Sequence, residues 1–196
     1  MTQPIRVLIS GVGGGSIGSQ VCKALHLGSH QYEVVVTNTT KSLMAISKAK
    51  HYEILPPATS DIYMDSLLML INKYRIQFLI PGSEPELVKI SQCRDTLSNT
   101  GVHILINANS IIATCVNKIK TINYLSAQGI RVPKTFEISS TAKLEKLNAD
   151  FPYIVKPSQG GGGSAATLLA QDIHELRFFV DYLLPYEYRP LVQEYV

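Results

Sequence analysis

Between Ile5 and Ile106 short apolar runs alternate with helix-like segments, and few folds accept that order. Residues Ile5–Ser10, Glu33–Thr37, Tyr52–Leu55, Phe78–Ile80 and Val102–Ile106 each read as a strand. The intervening Ser19–Leu25, Leu43–Lys48, Asp61–Tyr74 and part of Glu84–Asn99 read as helices. In the third of these Met64, Leu67, Leu68 and Ile71 recur at helical spacing, and Asp61 is expected to cap the N-terminus. Strands with almost no polar residues need cover on both faces, and strand–helix alternation supplies it by building a parallel sheet between two helical layers. The expected class is therefore α/β, with a Rossmann-like parallel-sheet domain over residues 1–112.

The remainder, residues 113–196, follows another pattern. Asn109–Gln128 reads as one or two helices ended by Gly129. Val132–Ile138 is extended, and Ser139–Ser140 precede a helix over Thr141–Leu147. Then comes Phe151-Pro152-Tyr153-Ile154-Val155-Lys156-Pro157-Ser158-Gln159-Gly160-Gly161-Gly162-Gly163-Ser164. It reads as a buried strand that ends in a lysine and runs into a glycine loop. Ala165–Leu169 reads as the returning strand, Asp172–Leu184 as an amphipathic helix and Leu191–Val196 as a last apolar strand. A glycine run between two strands is a hairpin flap, whereas a flexible linker would have polar low-complexity flanks. Lys156 places a compact cation at the strand end, and glycines without Cβ let backbone N–H groups approach an anion closely. That combination suits the phosphates of a nucleotide.

Two other motifs lie in the first part. Gly13-x-Gly15-x-x-Gly18 has dinucleotide-binding spacing, but the second strand ends Val36-Thr37-Asn38, without the acidic residue that binds ribose hydroxyls. The glycines either let the first helix pack tightly or leave its N-terminus open to a small anion or substrate carboxylate. Gly13, Gly14 and Gly15 are candidate substrate contacts. Pro81-Gly82-Ser83-Glu84-Pro85-Glu86 follows a buried strand, on the sheet edge where open α/β folds bind ligands. Ser83 and Glu86 have the spacing of a capping box, while Ser83 and Glu84 are candidate substrate contacts, Glu84 to a substrate amine or a metal.

Composition narrows the class further. With 18 Lys and Arg against 15 Asp and Glu the net charge is +3, and no basic run suggests a nucleic-acid partner. No stretch has the length of a membrane helix and no signal peptide precedes the first strand, so a cytoplasmic protein is expected. Cys22, Cys93 and Cys115 show no metal-ligand spacing, and no metal site is expected in this chain.

Taken in order, these pieces resemble the ATP-grasp ligases, with the closest likeness to the group of the carbamoyl-phosphate synthetase large subunit. Val7–Gly18 and Leu79–Leu87 look like strand-loops of the family's pre-ATP-grasp domain. Asn117–Leu125 and Gly129–Thr135 are similar to the opening of the grasp domain, although Asn117 stands where the family usually has aspartate. Phe151–Ser164 looks like the lysine strand with its flap, and Val192–Val196 like the adenine hinge. The resemblance implies that Lys118 and Lys156 contact phosphates and that Gln159, Gly160, Gly161, Gly162, Gly163 and Ser164 fold over the triphosphate. It also implies that Gln193, Glu194, Tyr195 and Val196 pair with adenine. Residues 1–112 would be the pre-ATP-grasp domain, and 113–196 the first, incomplete part of the grasp domain.

The implied activity is activation of a carboxylate as an acyl phosphate by ATP, followed by attack of an amine. Carbamoyl phosphate, a peptide-like bond and other carboxyl–amine products all remain open. The implied cofactors are ATP and Mg2+, the magnesium ligands and catalytic residues lying beyond Val196. The chain is thus expected to be an N-terminal portion that binds nucleotide without completing the reaction. Its expected partners are ATP, a small carboxylate, and either the missing C-terminal half or a second copy. The alternatives are an NAD(P)-dependent oxidoreductase, read from Gly13, Gly15 and Gly18, and a non-catalytic nucleotide-binding module.

Overall fold

The structure, a computed structural model, describes residues 3–44, 47, 49–147, 150–160, 166–185 and 189–196. The chain forms two compact units, Met1–Ile112 and Ala113–Val196. In the first, β1 (Ile5–Ile9), α1 (Ile17–Leu27), β2 (Tyr32–Asn38), α2 (Lys41–Met44), β3 (His51–Ile54) and α3 (Tyr63–Tyr74) are followed by β4 (Phe78–Ile80), α4 (Glu84–Gln92), α5 (Arg94–Ser98) and β5 (His103–Ile104). All five strands are parallel, in the order β3-β2-β1-β4-β5. The expected α/β class and parallel sheet are what the chain adopts.

Strand alternation sorts the core into two layers. Leu8, Val35 and Leu79 point to one face, where Tyr63, Leu67, Ile71, Ile90 and Leu97 bury them. Val7, Ile9, Val34 and Val36 point to the other, against Cys22 of α1, Val12 and Ala49. At about 25 cal/mol per Å2 of apolar surface removed from water, such two-sided burial is the main stabilising contribution.

The strand-to-helix connections depend on close backbone approach. A Cβ at Gly82 would lie 2.3 Å from the Ser10 carbonyl oxygen and 2.8 Å from Cα of Gly18. Gly18 and Gly82 thus carry the tight packing that sequence spacing had assigned to the whole glycine run. By contrast, a Cβ at Gly14 or Gly15 would meet nothing within 4 Å. Ser16, not a glycine, caps α1 by accepting from the Ser19 N–H.

Three local expectations are corrected. The residue before α3 is Ile62, which makes no side-chain cap, so Asp61 does not cap that helix. The segment after Ser140 is a 3₁₀ helix, Thr141–Lys146, and Ser140 makes no side-chain cap to it. The short helix expected over Leu43–Lys48 begins earlier, at Lys41, while Ala45, Ile46 and Lys48 fall outside the described residues.

After α6 (Asn109–Cys115), the second unit contains α7 (Lys118–Ala127), β6 (Thr135–Glu137), β7 (Tyr153–Pro157), β8 (Leu168–Ala170), α8 (Ile173–Leu183) and β9 (Pro190–Glu194). Its sheet is antiparallel, in the order β6-β9-β7-β8, so the last strand lies between two earlier ones. Tyr153, Val155, Ala170 and Val192 form one face with Leu176, Val180 and Leu183 of α8. Asp172 begins that helix by accepting from the N–H groups of His174 and Glu175. The returning strand starts at Leu168, with Ala166 and Thr167 outside it and Ala165 outside the described residues, and the last strand ends at Glu194 rather than Val196. Among the described residues no helix is long and apolar enough to cross a membrane.

Candidate functional site

The face of the β6-β9-β7-β8 sheet opposite its apolar core carries the polar residues. In β7, Val155 turns inward, so Lys156 turns to the other face. There its Nζ donates to Gln193 Oε1 of β9 at 2.7 Å. Gln193 is almost fully buried, and its Nε2 donates to Thr135 Oγ1 of β6 at 2.7 Å. The Thr135 hydroxyl in turn donates to the Pro133 carbonyl at 3.0 Å.

Lys118 reaches the same place from α7. Asn117 caps that helix, its Oδ1 accepting from the Lys120 N–H at 3.0 Å. The expected aspartate is therefore unnecessary for the cap, since asparagine serves as well. The Lys118 N–H donates to the Ser158 carbonyl, and Lys118 Nζ to the Gly160 carbonyl, each at 3.0 Å. This pins the start of α7 to the end of the lysine strand. Gly160 has φ +65°, a left-handed conformation that glycine adopts without strain.

Desolvation lowers the Lys156 pKa, and the nearby Lys118 ammonium lowers it further. Two cations whose partners, among the described residues, are neutral acceptors form a site for an anion. Lys118, Lys156, Gly160 and Gln193 are brought together. Gln159 is half-buried beside them, while Gly161, Gly162, Gly163 and Ser164 lie outside the described residues. Glu194 and Val196 line a cavity of about 360 Å3 with Arg131, Val132 and Pro133, and Tyr195 is exposed. Thr135 and Pro133 were absent from the expected site. Only the register across β6 and β9, which places Thr135 opposite Gln193, brings them in.

The first unit has its own cavity, about 340 Å3, at the carboxyl ends of its strands. Gly11, Asn38, Leu55, Pro57, Ser83 and Glu86 are among its lining. Glu86, rather than Glu84, faces it, and Glu84 is exposed on the first turn of α4. Ser83 Oγ donates to Glu86 Oε2 at 2.5 Å and makes no cap to the α4 backbone, so the expected capping box does not form. The Tyr63 hydroxyl approaches Glu86 Oε1 at 3.4 Å. Burial raises the Glu86 pKa, while the hydrogen bonds from Ser83 and Tyr63 oppose the rise.

Gly13, Gly14 and Gly15 do not line this cavity, whereas Gly11, with φ +63°, does. At the end of β2, Asn38 Nδ2 donates to the Val12 carbonyl at 2.9 Å, and its Oδ1 accepts from the Thr39 N–H. The position where a ribose-binding carboxylate would stand therefore clasps the glycine loop instead. Among the described residues no three His, Cys, Asp or Glu side chains gather as a metal site.

The chain matches two family models: "PylC-like, N-terminal domain" over residues 7–105, and "ATP-grasp domain" over residues 115–196. A curated relative, the alpha-aminoadipate–LysW ligase LysX of Sulfurisphaera tokodaii, is 39% identical over 99 residues, covering 46% of this chain and 34% of its own. Human beta-citrylglutamate synthase B is 33% identical over 97 residues, covering 47% of this chain and 25% of its own. The chain thus spans about a third or less of these curated relatives. Among solved structures, the L-amino acid ligase of Bacillus licheniformis superposes with a TM-score of 0.74 at 16% identity, over 100% of this chain and 47% of that one. N5-carboxyaminoimidazole synthetase of Staphylococcus aureus, complexed with ADP, gives 0.73 at 14%, over 100% and 48%. At these identities the structures establish the fold alone. The expected likeness to the carbamoyl-phosphate synthetase group is carried only at a coarser level: the chain belongs to the ATP-grasp family and has a PylC-like N-terminal domain.

Proposed function

We propose that residues 113–196 bind the triphosphate of ATP as part of an ATP-dependent carboxylate–amine ligase. The observation that carries this reading is that Lys118 bonds the Gly160 carbonyl and acts on Lys156, which is partly desolvated and bonds the Gln193 amide, so that among the described residues both ammonium groups meet neutral acceptors. A carboxylate is a poor electrophile, and phosphoryl transfer from ATP gives it a good leaving group. The lysines balance phosphate charge at fixed positions, so little reorganisation is needed on binding. Gln159, Gly160, Gly161, Gly162, Gly163 and Ser164 contribute backbone N–H groups over the phosphates. The cavity beside Glu194 and Val196 takes the adenine, with Gln193 and Tyr195 flanking it.

On this reading residues 1–112 are a pre-ATP-grasp domain whose cavity, with Ser83 and Glu86, contacts the substrate. The relatives named as an alpha-aminoadipate–LysW ligase and a beta-citrylglutamate synthase support a ligase reading.

Isothermal titration of the chain with ATP, ADP and NAD tests this. ATP is expected to bind, NAD not to bind, and Lys118→Met or Lys156→Met to weaken ATP at least about tenfold. Binding of NAD in preference to ATP, or ATP affinity indifferent to both substitutions, would sink the proposal.

A further inference from the structure

Thr135, Gln193 and Lys156 form a hydrogen-bonded chain across adjacent strands, and its polarity is fixed at both ends. The Pro133 carbonyl can only accept, so the single proton of the Thr135 hydroxyl points to it. Thr135 Oγ1 can then only accept from Gln193, which must present its NH2 group there. That turns the amide oxygen toward Lys156, whose ammonium can only donate. The reversed amide would set NH2 against ammonium and oxygen against a lone pair, two repulsive contacts inside a buried site.

We infer that Thr135 is a positioning residue: through the Gln193 amide it fixes the place and supports the charge of the Lys156 ammonium. This rests on the reading that Lys156 faces a triphosphate. A glutamine lends an acceptor without cancelling the charge, so the field of Lys156 remains available to phosphate. A carboxylate in its place would accept equally well from either oxygen and need no orientation. The polarity lock is therefore required only because residue 193 is an amide. The other charged group acting on Lys156, among the described residues, is Lys118 of α7, itself held by the Gly160 carbonyl.

The test titrates the Lys156 side chain by NMR in the ligand-free 196-residue chain, in wild type, Thr135→Val, Thr135→Ser, Gln193→Glu and the Thr135→Val/Gln193→Glu double variant. Thr135→Ala, which also lacks the hydroxyl, is read in parallel with valine. Loss of the hydroxyl is expected to lower the Lys156 pKa by about half a unit or more, since the charged form loses its oriented acceptor. Serine is expected to restore the wild-type value. In the Gln193→Glu background the valine substitution is expected to have no effect. A purely packing role predicts the reverse: serine would shift like valine, and the shift would persist with glutamate at 193. Either result, or an unshifted Thr135→Val, overturns the inference. ATP titration from pH 7 to 10 adds a second reading, with affinity declining at lower pH in Thr135→Val than in wild type. Failure of wild type to bind ATP would defeat the nucleotide reading while leaving the side-chain titration decisive for Thr135.

Discussion

A lysine half withdrawn from water beside a second ammonium holds its proton less firmly than a free one. Its effect on stability has a definite sign. The folded pKa lies below the unfolded value, so between the two the unfolded chain binds more protons and stability rises with pH. The penalty is fully present below the folded pKa and gone above the ordinary lysine value. Lys156→Met should flatten this rise, measured as urea midpoints from pH 7 to 11. Glu86 runs the other way on its own account: burial raises its pKa, so the native state binds the extra proton and loses stability as pH climbs through the window above the usual carboxylate range. Glu86→Gln should gain on wild type as the pH climbs above the usual carboxylate value, read as urea midpoints. Lys156 stood out in the sequence as a cation ending an apolar strand just ahead of a glycine run, whereas Lys118 was singled out only through the family resemblance. Thr135 was not, since its role exists only through a partner 58 residues away. Glu84 was preferred to Glu86 for a similar reason: sequence gives the turn, but not which carboxylate rotates inward.

At the scale of elements, the apolar runs of β1, β2 and β4 were plain because burial on two faces leaves no place for polar residues. Helix ends were less plain. Asp172 caps α8, and Asp172→Ala should cost about 1 kcal/mol in chemical denaturation. Asp61 looked equally suitable, yet α3 begins after an uncapped Ile62 and ends at Arg75 with φ +49°. A cap depends on where the chain enters the helix, which packing of Tyr63 and Leu67 decides. The glycines also separate by backbone approach. Gly82→Ala would force a methyl into the Ser10 carbonyl and should destabilise by about 3 kcal/mol or more, whereas Gly15→Ala should stay within about 0.5 kcal/mol. Thermal melts of the two variants compare them directly.

For the whole molecule, the strand–helix alternation disclosed the parallel sheet, but the interleaved order β6-β9-β7-β8 was not readable, because antiparallel neighbours need not be consecutive. Under the proposed function, ATP should slow amide exchange in β7, β9 and the first turn of α7 while leaving β1–β5 unchanged, since a ligand stabilises the elements it binds. Hydrogen-exchange mass spectrometry reads this unit by unit. The thiols offer an independent clock. Cys22 lies fully buried in the first unit, its Sγ donating to the Ser47 carbonyl, and burial raises its pKa; Cys115 is exposed in the second unit. A maleimide or disulfide reagent will therefore mark position 115 at once but reach position 22 only when the parallel sheet opens, so one labelling time course carries both a surface reference and the lifetime of the native first unit.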